Sequence, residues 1–162
     1  MEANITVDTF SIPPHSIEAE MAVLGSMLVE KEAVDRALEL LKPSDFHDIN
    51  HERIFRALHE LSVANTVIDI VTVAEVLRGK DQLVVIGGGE YLTQLINQVP
   101  TAAHVDYYAG IVKNKALIRN LIIVGSRIVG NARKGEDDAK ALIDEAEGLV
   151  YALNQDEITG GL

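Results

Sequence analysis

The sequence predicts an all-α fold: a small helical globular subdomain followed by a long antiparallel helical hairpin. Three observations predict it. Hydrophobic residues make up 48% of the 162-residue chain and aromatics only 4%, with no Trp, so Ala, Leu, Ile and Val must fill the core, which suits packed helices. Apolar residues recur at spacings of three and four through most of the chain. Roughly thirty residues, Ala103 to Arg133, run without proline, enough for one helix of about 45 Å at about 1.5 Å per residue.

Taken in order, residues 1–12 read as a flexible N-terminal arm, and Pro13-Pro14 stops any structure before them. Residues 13–100 read as the globular subdomain. Ser16 caps its first helix, with Glu18 and Glu20 at the positive end and Ile17, Met21, Leu24 and Leu28 as a buried stripe. Val34, Ala37, Leu38 and Leu41 mark a second helix, ended before Pro43. Ser44 or Asp45 caps a short turn. Ile54, Phe55, Leu58 and Leu61 mark a third helix. The β-branched residues around Asp69 would suit a strand, but Asp69 is a good cap and Val73, Val76 and Leu77 keep helical spacing, which favours helix. Gln82 to Ile86 reads as a short strand or a loop, broken by Gly87-Gly88-Gly89. Tyr91, Leu92, Leu95 and Ile96 give another helix, closed by Pro100.

Residues 101–154 read as the hairpin. On its first arm Tyr108, Ile111, Ile118, Ile122 and Val129 share one side. Lys134 to Asp138 is a stop, a turn and a new start. On the second arm Leu142, Ala146, Leu149 and Leu153 alternate like a coiled-coil seam. Leu121-Ile122-Ile123-Val124 is apolar nearly all round one turn, so this arm should be covered on more than one side. The expected self-association residues are Tyr108, Ile111, Ile118, Leu121, Leu142, Ala146, Leu149 and Leu153. Residues 155–162, with Gly160-Gly161, read as the start of a linker.

Composition excludes several classes. There is no Cys, so disulfides and thiolate metal sites are out. No apolar run reaches the roughly 20 residues of a membrane helix, and Met1 to Ser11 has no signal-peptide pattern, so a cytoplasmic setting is expected. The net charge of −11 argues against a wholly nucleic-acid-binding surface. Charge is uneven, however: residues 101–135 carry six bases and one acid, and residues 136–157 carry one base and eight acids. Pairing of these two arms is expected ahead of contact between the basic arm and DNA.

No catalytic constellation stands out. His47 and His51 are four apart, as metal ligands sometimes are, but no further ligand set accompanies them. The expected roles are a turn-orienting His51 and an exposed His47. Gly87 to Gly89 has neither the preceding strand nor the Lys of a phosphate-binding loop. Nothing in the chain reads G-x-x-x-x-G-K-[ST]; Gly79-Lys80 is followed by Asp81. No catalytic, cofactor or metal residue is therefore expected.

Several segments, in order, resemble one family, the DnaB-type bacterial replicative helicases. They are Pro14-His15-Ser16-Ile17-Glu18-Ala19-Glu20 with Val23-Leu24-Gly25, then Asp45-Phe46, His51 and Ile54-Phe55, then Asp69 to Val73. Gly88-Gly89-Glu90-Tyr91-Leu92, Val99 to Ala103, Tyr107-Tyr108-Ala109 and Ile111-Val112 complete the run, which extends from about Pro13 to Leu153. His104 departs from the Asn common in the family. The resemblance implies an assembly and docking domain with no motor of its own. ATP and Mg would belong to an ATPase domain outside this chain, and DNA would be engaged mainly there. Implied partners are a second copy through paired hairpins (a trimer of dimers in the parent hexamer), the C-terminal domain of primase, and a helicase loader. Primase contact is expected near Glu18, Tyr91, Ile122 and Ile128. The alternative is a stand-alone helical oligomeric adaptor with no catalytic role.

Overall fold

The computed structural model describes residues 12–99, 101–135 and 138–160, with side chains to residue 155. The arm expected over residues 1–12 lies almost wholly outside the described residues. Among those described there is no strand.

Helix α1 (Ile17–Val29) starts at Ser16, whose Oγ accepts from Ala19 N at 3.2 Å. A single buried stripe proves too narrow a description. Every residue from Ala19 to Leu28 is buried, because no charge falls between Met21 and Val29. A helix apolar all round is packed all round, and α1 is the central rod of the globule. Around it stand α2 (Lys31–Leu40), α3 (Ile49–Val63), α6 (Gly88–Asn97) and α7 (Val105–Lys134). Ser26 is accommodated inside by donating its Oγ–H to Ala22 O at 2.7 Å.

A single 3₁₀ turn, Pro43–Asp45, follows α2, with Asp45 accepting from Lys42 N at 2.9 Å. Asp48 caps α3 by accepting from Asn50 N and His51 N. Helix α4 (Ile70–Gly79) begins as expected at Asp69. Asp69 Oδ1 accepts from Thr72 N at 2.9 Å, and Thr72 Oγ1 accepts from Asp69 N at 3.0 Å. This reciprocal box overrides the β-branched composition. Residues 82–86 differ from expectation. They form a one-turn helix, α5 (Leu83–Ile86), because Ile86 anchors in the core while Val84 and Val85 face out. Gly87, at φ 108°, and Gly88, at φ 72°, turn the chain into α6. Gly88 and Gly89 thus belong to the first turn of α6, not to a free loop.

The boundary expected at residue 101 is also blurred. Val105, Ala109, Val112 and Ala116 of α7 are buried, with Tyr108 and Ile111 packed against the same core. The part of this helix up to Ala116 therefore belongs to the globule, and the longer stretch past it belongs to the hairpin. His104 precedes α7 without a side-chain capping bond. Gly135, at φ 63°, ends α7, and α8 (Ala139–Gly160) returns along it. Residues 155–160, expected at the start of a linker, continue α8. Gly161 and Leu162 lie outside the described residues.

Candidate functional site

Glu20 is the charge that α1 carries into the core. It is 1% exposed and is met by three N–H donors. Oε2 accepts from His47 N at 2.8 Å, and Oε1 accepts from Asp48 N at 3.3 Å and from His51 Nδ1 at 2.8 Å. With its proton on Nδ1, His51 offers Nε2 to the Tyr91 hydroxyl, 2.5 Å away. The chain acid–imidazole–hydroxyl joins α1, α3 and α6. The order resembles a nucleophilic triad, but the setting does not suit one. His51 is 1% exposed, and burial, then Asp48 and Glu20, push the Tyr91 phenol up from its ordinary value. A harder-to-ionise phenol is a weak nucleophile. The arrangement is a strut, and Tyr91 points its polar end inward.

His47 is not the exposed ring expected. It is half-buried and stacks on His15, ring centroids 4.3 Å apart. It also precedes α3, so it shares no helix face with His51. Among the described residues no group of three or more His, Asp or Glu is placed to hold a metal.

Above this network, α7 reaches back to the N-terminal segment. Arg119 donates to Pro14 O at 2.8 Å and to Asp45 O at 2.6 Å, and Lys113 Nζ lies 3.1 Å from Asp45 Oδ2. The basic arm was expected to pair with the acidic arm. Among the described residues no ion pair joins α7 to α8, and one hydrogen bond between side chains, Asn131 to Glu145 at 3.2 Å, crosses between them. Lys113 sits in the part of α7 that packs on the globule and Arg119 just above it, and both find their acceptors on the globule.

The expected self-association residues separate into three groups. Tyr108 and Ile111 line a groove of about 400 Å³ with Glu18, Met21 and Gln98, beside α1. Leu142, Ala146, Leu149 and Leu153 are the half-buried positions of α8, and α8 packs on α7, so the seam is used inside the hairpin. Leu121 is exposed and Ile118 half-buried, on the way up the hairpin. What remains uncovered on the hairpin is an apolar band round α7 (Leu121, Ile122, Ile123, Val129), with Ile143, Val150 and Tyr151 exposed on α8. The four expected primase contacts lie on three different helices. Glu18 lies at the α1 groove and Tyr91 at the strut. Ile122 is exposed, while Ile128, about 120° round the helix, is half-buried.

Sequence reasoning missed Glu20 and Arg119 as structural centres. The available signal for Glu20 was its position at the threshold of a charge-free apolar run.

The described residues form an all-helical globule braced by a buried polar strut, with a hairpin that carries exposed apolar side chains. Residues 12–114 match the family described as the DnaB-like helicase N terminal domain, and the chain belongs to that family. It is 40% identical over 149 residues to the replicative DNA helicase DnaB of Geobacillus stearothermophilus, covering 92% of this chain and 33% of that protein. It is 43% identical to that of Rhodothermus marinus over 88% of this chain and 15% of the relative. The chain thus spans a third or less of the length of these curated relatives. The crystal structure of the N-terminal domain of DnaB helicase from Mycobacterium tuberculosis superposes with TM-score 0.82 at 40% identity, covering 87% of this chain and 99% of that one. A DnaB-like replicative helicase solved for its interactions with primase gives TM-score 0.71 at 25% identity, covering 85% of this chain and 31% of that one.

Proposed function

We propose that this chain is the assembly and primase-docking domain of a cytoplasmic replicative hexameric helicase. The observation that carries the reading is the uncovered apolar band on the hairpin. Ile122 and Val129, seven residues apart, expose aliphatic side chains on one side of α7, and Leu121 and Ile123 extend the exposed apolar surface round the same helix, the kind of surface that marks a protein contact. A second copy is the first occupant, through paired hairpins, and the C-terminal domain of primase the next. A helicase loader belongs to the same proposal. Unwinding, ATP and Mg are assigned to the parent's motor, because no phosphate-binding loop occurs in this sequence.

Sedimentation tests assembly. The double variant Ile122→Lys, Val129→Lys is expected to lower the particle mass with helicity kept, since both side chains face solvent in the single chain. Leu149→Asp is expected to lose hairpin helicity as well, since Leu149 is half-buried against α7. An unchanged mass in the double variant would remove the band as the association surface. Primase docking is read by calorimetry with the primase C-terminal domain. Tyr91→Ala removes both ring and strut, so Tyr91→Phe, which removes only the hydroxyl, is its necessary companion. If neither these nor Glu18, Ile122 and Ile128 substitutions change affinity, the docking surface lies elsewhere.

A further inference from the structure

The direction in which the hairpin leaves the globule needs a cause. Up to Ala116, α7 is held by buried side chains, and beyond it no residue of the helix is buried. Apolar packing therefore fixes the root of α7 but does not hold the stretch just above it. At that level sits Arg119. Its two terminal nitrogens donate to carbonyls of two different segments, Pro14 at 2.8 Å and Asp45 at 2.6 Å. Lys113, lower on the same helix, engages the side chain of Asp45 at 3.1 Å. Asp45 is 2% exposed, and the same carboxylate oxygen accepts from Lys42 N at 2.9 Å. The acceptor turn is thus itself pinned.

We propose that Arg119 is the positioning residue that sets the angle between hairpin and globule, with the 42–46 turn and the Pro14 carbonyl as its socket. This rests on the assembly reading for its purpose, because a ring built from hairpins needs every hairpin to leave its globule at one angle. The chemistry suits Arg and not Lys. A planar fork holds two terminal N–H donors in a fixed geometry matched to two fixed carbonyls, whereas an ammonium is one compact charge on a flexible stem. Both acceptors of Arg119 are backbone carbonyl oxygens.

The test uses the full 162-residue chain, which contains no Cys and so accepts site-specific spin labels directly. Labels at Gln94→Cys on the globule and Ala132→Cys on the hairpin, diluted with unlabelled chain, report the distance within one chain by double electron–electron resonance. Wild type and Lys113→Ala are expected to give one narrow distance. Arg119→Ala and Arg119→Lys are expected to lose it to a broad distribution while keeping far-ultraviolet helicity. A narrow, unshifted distance in Arg119→Lys overturns the proposal, and so does equal broadening in Lys113→Ala. If Arg119→Ala loses helicity, Arg119→Lys alone decides. Sedimentation of the same samples separates the two readings. A wild type that stays monomeric at high concentration removes the assembly reading and leaves the clamp to be judged by distance. Normal assembly with a narrow distance in Arg119→Lys removes the clamp and leaves assembly standing.

Discussion

Single residues decide more of this fold than their number suggests. Glu20 ties two backbone amides and one imidazole, so replacing it is a loss of three bonds in a closed space. Glu20→Gln keeps one acceptor oxygen but sets an N–H against an N–H at the other position, and is expected to destabilise by about 1–3 kcal/mol, read from the urea midpoint. Tyr91→Phe leaves His51 Nε2 without its hydroxyl partner and is expected to cost about 1–2 kcal/mol by the same measurement. Equal stability of wild type and Tyr91→Phe would mean that the strut bears no weight. His47 predicts a pH dependence. Burial, then His15 and Arg119, holds its imidazole below the usual value of 6.5, so the folded chain binds fewer protons there than the unfolded one. Its contribution is present above that value and is lost as pH falls through it. The thermal midpoint should drop as pH falls below about 6.5, and His47→Phe, which keeps a flat ring against His15, should flatten that drop. None of these partnerships was legible along the sequence. Glu20, His51 and Tyr91 are joined across separations of 31 and 40 residues, and no local spacing encodes that.

Helices, by contrast, were largely legible, because their causes are local. Ser16 and Asp69 announce helix starts and do cap them. Asp69→Ala is expected to cost about 1 kcal/mol, and an unchanged denaturation midpoint would show the box to be idle. Where reading failed, a tertiary cause intervened. Val84 and Val85 suggested a strand, but the neighbouring Ile86 seeks the core and Gly87 takes the positive φ that closes the turn. The seam at Leu142, Ala146, Leu149 and Leu153 was visible, but whether it meets a second chain or the adjacent arm is not a property of the periodicity. Helix α1 shows the same limit at closer range. A β-carbon at Gly25 would collide with the Leu95 carbonyl and with Val99, so α1 and α6 meet backbone to side-chain-free backbone. Gly25→Ala is expected to destabilise by about 1–3 kcal/mol or more, since a carbonyl does not yield as a side chain does. A crystal structure of that variant with α1 and α6 undisplaced would contradict the close approach.

At the scale of the whole molecule, globule and hairpin are one continuous object, because α7 runs through both without a break. The chain is expected to show no ATP turnover, since no residue set for nucleotide phosphates occurs in it, and a pure folded sample that hydrolysed ATP would contradict this. The continuity of α7 has a mechanical meaning. The root is bedded in the core and the remaining arm, residues 117–134, is about 27 Å long at about 1.5 Å per residue. Such a rod is a lever whose fulcrum lies at the rim of the globule. A tilt of about 5° there displaces the far end by roughly 2 Å, enough to carry an aliphatic side chain out of van der Waals contact. Small adjustments among the core helices are thus geometrically amplified at the tip, and a load applied at the tip returns to the globule as torque.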